Sequence, residues 1–152
     1  MSGIVEISDN KRDYMDLLLL GDEQESMIER YLDRGRMFAL ENEGKVCAVC
    51  VVTDEGSGTL EIKNIAVSPG CQRRGYGRAL IGYISEKFSD EFHRLIVGTG
   101  DSSLTVPFYE NCGFRRYRVV KDFFTNNYDH MIIEGGVQLR DMIYFEKTLQ
   151  ED

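Results

Sequence analysis

Val67-Ser68-Pro69-Gly70-Cys71-Gln72-Arg73-Arg74-Gly75-Tyr76-Gly77-Arg78-Ala79-Leu80 links an apolar, strand-like run to an amphipathic, helix-like one. A strand therefore enters this segment and a helix leaves it. Gly75 and Gly77 remove side chains where backbone has to approach a ligand closely. The helix that starts there aims free N–H groups and partial positive charge at the loop. Arg73, Arg74 and Arg78 add forked cations suited to phosphate oxygens, so a bound pyrophosphate fits. The usual nucleotide loops do not: a Walker loop needs GK[ST] after its glycines, and a dinucleotide fingerprint needs a third small residue where Leu80 stands. What remains is [QR]xxGxG, filled by Gln72, Gly75 and Gly77. The plainer alternative is an ordinary strand-to-helix turn with solvated arginines.

Outward from this loop the hydrophobic period alternates between helix and strand. Upstream, Tyr14, Leu17, Leu18 and Leu20 mark a helix ending at Gly21, and Met27, Ile28, Tyr31 and Leu32 a second ending near Gly35. Three strands follow, over Met37–Leu40, Val46–Thr53 and Leu60–Val67, separated by Asn42-Glu43-Gly44 and Glu55-Gly56-Ser57-Gly58, the turn chemistry of antiparallel pairs. Downstream come a helix from Gly75 to Phe88, a strand at Leu95-Ile96-Val97 buried on both sides, a short helix ending at Gly113, and strands over Phe114–Lys121 and Leu139–Leu149. Pro107 fits that short helix only if it lies close to its start. With a further strand at Ile4–Ile7, the order predicts an α/β fold: a mixed, mostly antiparallel sheet in three α/β/α layers. The 152 residues contain no linker or repeat and are read as one domain, 1–152.

Charge is unevenly placed along the chain. Net charge is −8, and the whole imbalance lies in residues 1–61, which hold 14 carboxylates against 6 Lys or Arg. From Ile62 to Ser85 there is no carboxylate at all, only Lys63 and the three loop arginines. An acidic protein with one basic island is a poor partner for nucleic acid or an anionic membrane but a fit one for a single bound anion. Cys47-Ala-Val-Cys50 has CxxC spacing yet lies in an apolar strand, so these read as packed, reduced thiols. No apolar run reaches membrane-spanning length and no leader pattern opens the chain, which implies a cytoplasmic protein.

The loop, the Ala66-Val67 strand end before it and Phe108-Tyr109-Glu110-Asn111-Cys112-Gly113-Phe114 after it resemble the GNAT N-acetyltransferase superfamily over about residues 60–114. The resemblance implies acetyl-CoA as co-substrate, its pyrophosphate held at Gln72, Arg73, Arg74, Gly75, Tyr76, Gly77 and Arg78. It implies that Ile65, Ala66 and Val67 pair with the pantetheine arm, and that the Val67 N–H donates to the thioester carbonyl. Ser102 stands where many members place an asparagine that bonds the same arm; a hydroxyl can both donate and accept. Acetyl transfer to an amine needs a base, a carbonyl donor and a proton source for the leaving thiolate. Glu61 matches the family's base, acting directly or through water, and Tyr109 matches its acid, being protonated at neutral pH. The alternatives are a solvent-facing Glu61 paired with Lys63, which shares its face, and an aromatic Tyr109 that merely packs.

For the acceptor, residues 122–136 form a long aromatic connection, and Asp122, Asp129 and Glu134, with the acidic first helices, suit a cationic amine. Direct attack on acetyl-CoA in a ternary complex by a primary amine of a small cationic molecule is the reading. Alternatives are a protein or peptide N-acetyltransferase, or a catalytically silent acyl-CoA sensor lacking a usable Glu61 and Tyr109. A homodimer is left open as a partner. His130 and His93 read as surface or packing residues, and no Cys or His spacing matches a metal site.

Overall fold

The computed structural model describes residues 2–149. Its main sheet has seven strands in the order β1-β2-β3-β4-β5-β9-β6, with β1 Ser2–Ile7, β2 Arg36–Asn42, β3 Lys45–Gly56, β4 Thr59–Val67, β5 Arg94–Gly100, β6 Arg115–Val120 and β9 Met142–Thr148. Neighbours run antiparallel except β4 and β5, which are parallel because α3 (Tyr76–Lys87) crosses between them. The remaining helices are α1 Met15–Gly21, α2 Glu25–Ile28, α4 Val106–Asn111 and α5 Phe123–Asn127. Pro107 lies in the first turn of α4, where its missing N–H costs nothing.

Two cores separate on the two faces of the sheet, as the three-layer reading requires. Leu80, Ile81 and Ile84 of α3 pack with Phe38, Cys50, Ile62 and Phe145 on one face; Leu18 and Ile28 pack with Met37, Val49 and Val51 on the other. Strict alternation is broken at four places; beside shifts at Glu55 of β3 and Tyr117 of β6, two lie along the β2–β3–β4 stretch that leads to the site. Cys47 is an extra residue in β3, since Leu40 faces Ala48 while Glu41 faces Val46. Lys63 is an extra residue in β4, since Val51 faces Asn64 while Val52 faces Ile62. After that bulge Ile65 and Val67 turn toward α3, while Asn64 and Ala66 turn toward α1.

One expectation is corrected. The second helix is one turn, α2, followed by hydrogen-bonded turns through Arg34; the apolar spacing of Met27, Ile28, Tyr31 and Leu32 is met by those turns. The long aromatic connection holds elements that the sequence left unassigned: α5 and a hairpin of β7 (Ile133–Glu134) and β8 (Val137–Gln138) fold over a small cluster of Phe124, Ile132 and Leu139. The four cysteines are free, and burial pushes the Cys50 thiol up to about 12.

Candidate active site

β4 and β5 pair only from Thr59↔Arg94 to Ile62↔Val97, although β4 runs on to Val67 and β5 to Gly100. The strands part at the Lys63 bulge, and a cavity of about 730 Å³ opens over the gap, bounded by α1, the turns after α2, α4, the 122–139 connection and β9. Glycine keeps that wedge narrow: a Cβ on Gly98 would meet Met142 Sδ at 2.7 Å, so Met142 and Tyr144 of β9 reach in over it.

Of the predicted site residues, Glu61, Ile65 and Tyr109 line this cavity. Glu61 is 7 % exposed and bound to Lys63 Nζ at 3.2 Å. The expected pairing is present, but on a buried wall and not in solvent. Burial raises the Glu61 carboxyl above its ordinary 4.5 and the ammonium of Lys63 pulls it back. A raised carboxylate is a stronger base, in the direction that amine deprotonation needs. Tyr109 sits on α4 among Phe108, Phe114 and Phe145, and burial raises its phenol well above 10. It therefore stays protonated at any working pH.

Around the far end of β4, Val67 lies between β3 and the loop, and its carbonyl accepts from Gln72 Nε2 at 3.4 Å. Ala66 is buried under α1. Arg73 (φ 65°) and Gly75 (φ 79°) are left-handed, and Gly75 caps α3 without a side-chain bond, so the first amides of a twelve-residue helix face outward. Gln72, Arg73, Arg74 and Arg78 are exposed, and none of the ion pairs among the described residues uses these arginines. The two glycines serve different ends. Gly75 has open space beside it and is required by its φ, whereas a Cβ on Gly77 would press Phe108 Cζ at 3.1 Å, so that small residue lets α3 meet α4. Tyr76 accepts from Asn42 Nδ2 at 3.0 Å, tying the loop to β2. Ser102 is buried; its Oγ accepts from the Leu104 N–H at 3.0 Å, and its hydroxyl opposes the rise that burial gives the Glu134 carboxyl.

The acids meant for the acceptor sort differently from expectation. Asp122 stands exposed just before α5 with no side-chain bond to the helix, and Asp129 pairs with His130 at the surface; of the loop acids only Glu134 reaches the cavity. Several carboxylates of the first 61 residues are spent on surface pairs, Glu6 with Arg36, Glu29 and Asp33 with Arg12, and Glu55 with Arg34. Asp22 and Glu23 do face the cavity. Sequence reading missed Asn64, Tyr31 and Tyr128, which join Asp22 in one hydrogen-bonded chain. No shared spacing joins them, because they come from β4, the turns after α2 and the loop after α5. Among the described residues no group of His, Cys, Asp or Glu is placed to hold a metal ion, and no helix is long and apolar enough to cross a membrane.

Residues 33–116 match the family model described as an acetyltransferase (GNAT) domain. The uncharacterised N-acetyltransferase YvbK of Bacillus subtilis (strain 168) is 35% identical over 142 residues, 91% of this chain and 92% of that one. A GNAT family acetyltransferase from Elizabethkingia anophelis with acetyl-CoA bound superposes with a TM-score of 0.91 at 31% identity, covering 97% of each chain. A Bacillus subtilis acetyltransferase in complex with CoA superposes with a TM-score of 0.89 at 32% identity, over 99% of this chain and 100% of that one.

Proposed function

The chain belongs to the GNAT acetyltransferase family, and from that premise we propose that it moves the acetyl group of acetyl-CoA to a primary amine of a small cationic molecule, in one ternary complex. It is an acetyl-CoA-dependent N-acetyltransferase, and acetyl-CoA is its co-substrate. The observation that carries the acceptor reading is the cavity itself: a carboxylate base, Glu61, and a neutral phenol, Tyr109, line one cavity beside the parted strands.

In this reading the outward amides at the start of α3, with Arg73, Arg74 and Arg78, hold the pyrophosphate, and Ile65 to Val67 pair with the pantetheine arm. Ser102 serves through the turn it caps. Glu61 accepts a proton from the acceptor ammonium, directly or through water. The freed nitrogen forms its bond to the thioester carbon while the carbonyl oxygen takes negative charge against the Val67 N–H. Collapse of that adduct breaks the carbon–sulfur bond, Tyr109 donates its proton to the leaving thiolate, and the second proton of the attacking nitrogen passes through solvent to restore the phenol, giving the neutral amide and free thiol. The ordered connection after β6 walls the cavity, which favours a small acceptor over an extended peptide.

Isothermal titration with acetyl-CoA, followed by thiol release over a panel of small amines and peptides, tests this directly. Binding is expected, with turnover on small amines. Tyr109→Phe should lower kcat by roughly 10²-fold or more with unchanged acetyl-CoA affinity; full turnover in that variant removes Tyr109 from the mechanism.

A further inference from the structure

Asp22, just past the end of α1, presents its carboxylate to the cavity. Tyr31 Oη donates to Oδ2 at 3.0 Å and Tyr128 Oη donates to Oδ1. The proton direction is fixed from the far end of the chain of bonds. The Leu18 carbonyl can only accept, so Asn64 points its Nδ2 there (2.8 Å) and to Tyr31 Oη (3.1 Å), which leaves the Tyr31 proton for Asp22. Asn64 is itself 3 % exposed, lines the cavity and keeps Oδ1 without a hydrogen-bond partner among the described residues. Asp22 thus accepts from two hydroxyls, and burial raises its carboxyl above the ordinary value against both of those bonds and the Gln24 amide.

Among the described residues this carboxylate has no ion-pair partner. Arg30 acts on it at a distance, while its guanidinium reaches Asn127 at 3.5 Å. A partly buried carboxylate without a cation is costly unless a ligand supplies one. The walls suit one, because Tyr31, Phe123, Phe124 and Tyr128 line the same space, with Phe124 and Tyr128 stacked at 5.6 Å.

We propose that Asp22, framed by Tyr31 and Tyr128, binds a second ammonium of the acceptor, making the substrate class amines with two cationic nitrogens joined by a short chain. The inference rests on the amine-acceptor reading above. Both Asp22 oxygens already accept a phenol hydrogen bond, which opposes proton uptake there even though burial raises its carboxyl. Glu61 shares a face of β4 with Asn64, the anchor of the Asp22 network. One nitrogen is therefore deprotonated near Glu61 while the other stays charged at Asp22.

The test is titration of the CoA-saturated protein with α,ω-diaminoalkanes of three to eight carbons and with n-alkylamines of matched length. At least one diamine should bind roughly tenfold or more tightly than its monoamine. Asp22→Asn should abolish that preference and leave monoamine binding unchanged, and Tyr128→Phe, which keeps the ring packing, should reduce it. No preference in the wild-type protein overturns the subsite, as does one untouched by both variants. Equal losses for diamine and monoamine in Asp22→Asn overturn it too, by placing Asp22 at the reacting nitrogen. A diamine that binds through Asp22 yet releases no thiol from acetyl-CoA upholds the subsite and sinks the amine-acetylation reading.

Discussion

The two ends of the parted strands are built on opposite plans. At the α3 end, the anion-facing groups are consecutive: Gln72 to Arg78 are mostly exposed, their geometry set by backbone angles at Arg73 and Gly75. At the other end, the groups come from positions as far apart as Asp22 and Tyr128, buried or half-buried and bonded to one another. A site made of backbone in one loop tolerates side-chain change and recognises a constant ligand. A site made of interlocked side chains is specific, and one substitution disturbs several partners.

If this division holds, damage at the acceptor end should spare acetyl-CoA binding. The largest effect is expected from Glu61→Gln: a fall in kcat/KM of roughly 10²- to 10⁴-fold at neutral pH, with acetyl-CoA affinity by titration calorimetry unchanged. Its stability should move the other way. The folded carboxyl of Glu61 lies above 4.5, so its ionisation weakens the fold at pH values above its folded pKa and has no effect well below 4.5. Thermal melts should therefore show the Gln variant at least as stable as wild type at neutral pH, with no such advantage in acid. The same raised carboxyl predicts that kcat/KM falls as pH drops through a value above 4.5. A Gln variant less stable at neutral pH than in acid, relative to wild type, contradicts the balance of burial over the Lys63 pair.

A smaller effect of the same kind is expected at Gly21. A Cβ there would lie 2.2 Å from Asn64 Oδ1 and 3.0 Å from the Ile65 carbonyl oxygen, so Gly21→Ala must shift α1 off β4. That should cost about 1–3 kcal/mol by denaturant unfolding and raise KM for the amine, not for acetyl-CoA. A variant with equal losses for both substrates would mean that the two ends are mechanically one.

The same contrast explains what can be read from the chain. The loop is legible because its function is written in contiguous residues, Gln72, Gly75 and Gly77, and the sheet follows because strand and turn signals flank it at regular spacing. The wall opposite is not. Lys63 is an inserted residue that reverses which side chains face α1, and a register shift leaves no mark in composition. Asn64 therefore reads as one polar residue in a strand, and Tyr31 as part of a helical stripe that is turns instead. Asp122 and Asp129 mislead for a related reason: loop charge is visible in sequence, but the direction it points is fixed by α5 and the hairpin, which short apolar runs do not announce.

The smallest effect separates the two glycines of the loop. Gly75 has φ 79° and nothing within 4 Å of the place a methyl would occupy, so Gly75→Ala meets no clash and is opposed only by its backbone angle. The strain is about 1 kcal/mol, and the chain can relieve it by rotating the peptide that caps α3. Either outcome turns the first helix amides away from an anion, so acetyl-CoA should bind several-fold more weakly while KM for the amine holds. Because those amides act on phosphate alongside Arg73, Arg74 and Arg78, raising the salt should weaken binding in both proteins and leave their ratio nearly constant, since backbone dipoles at contact are screened far less than exposed side-chain charges. A ratio that collapses with salt would assign the anion to the arginines, with the helix start only a scaffold for them.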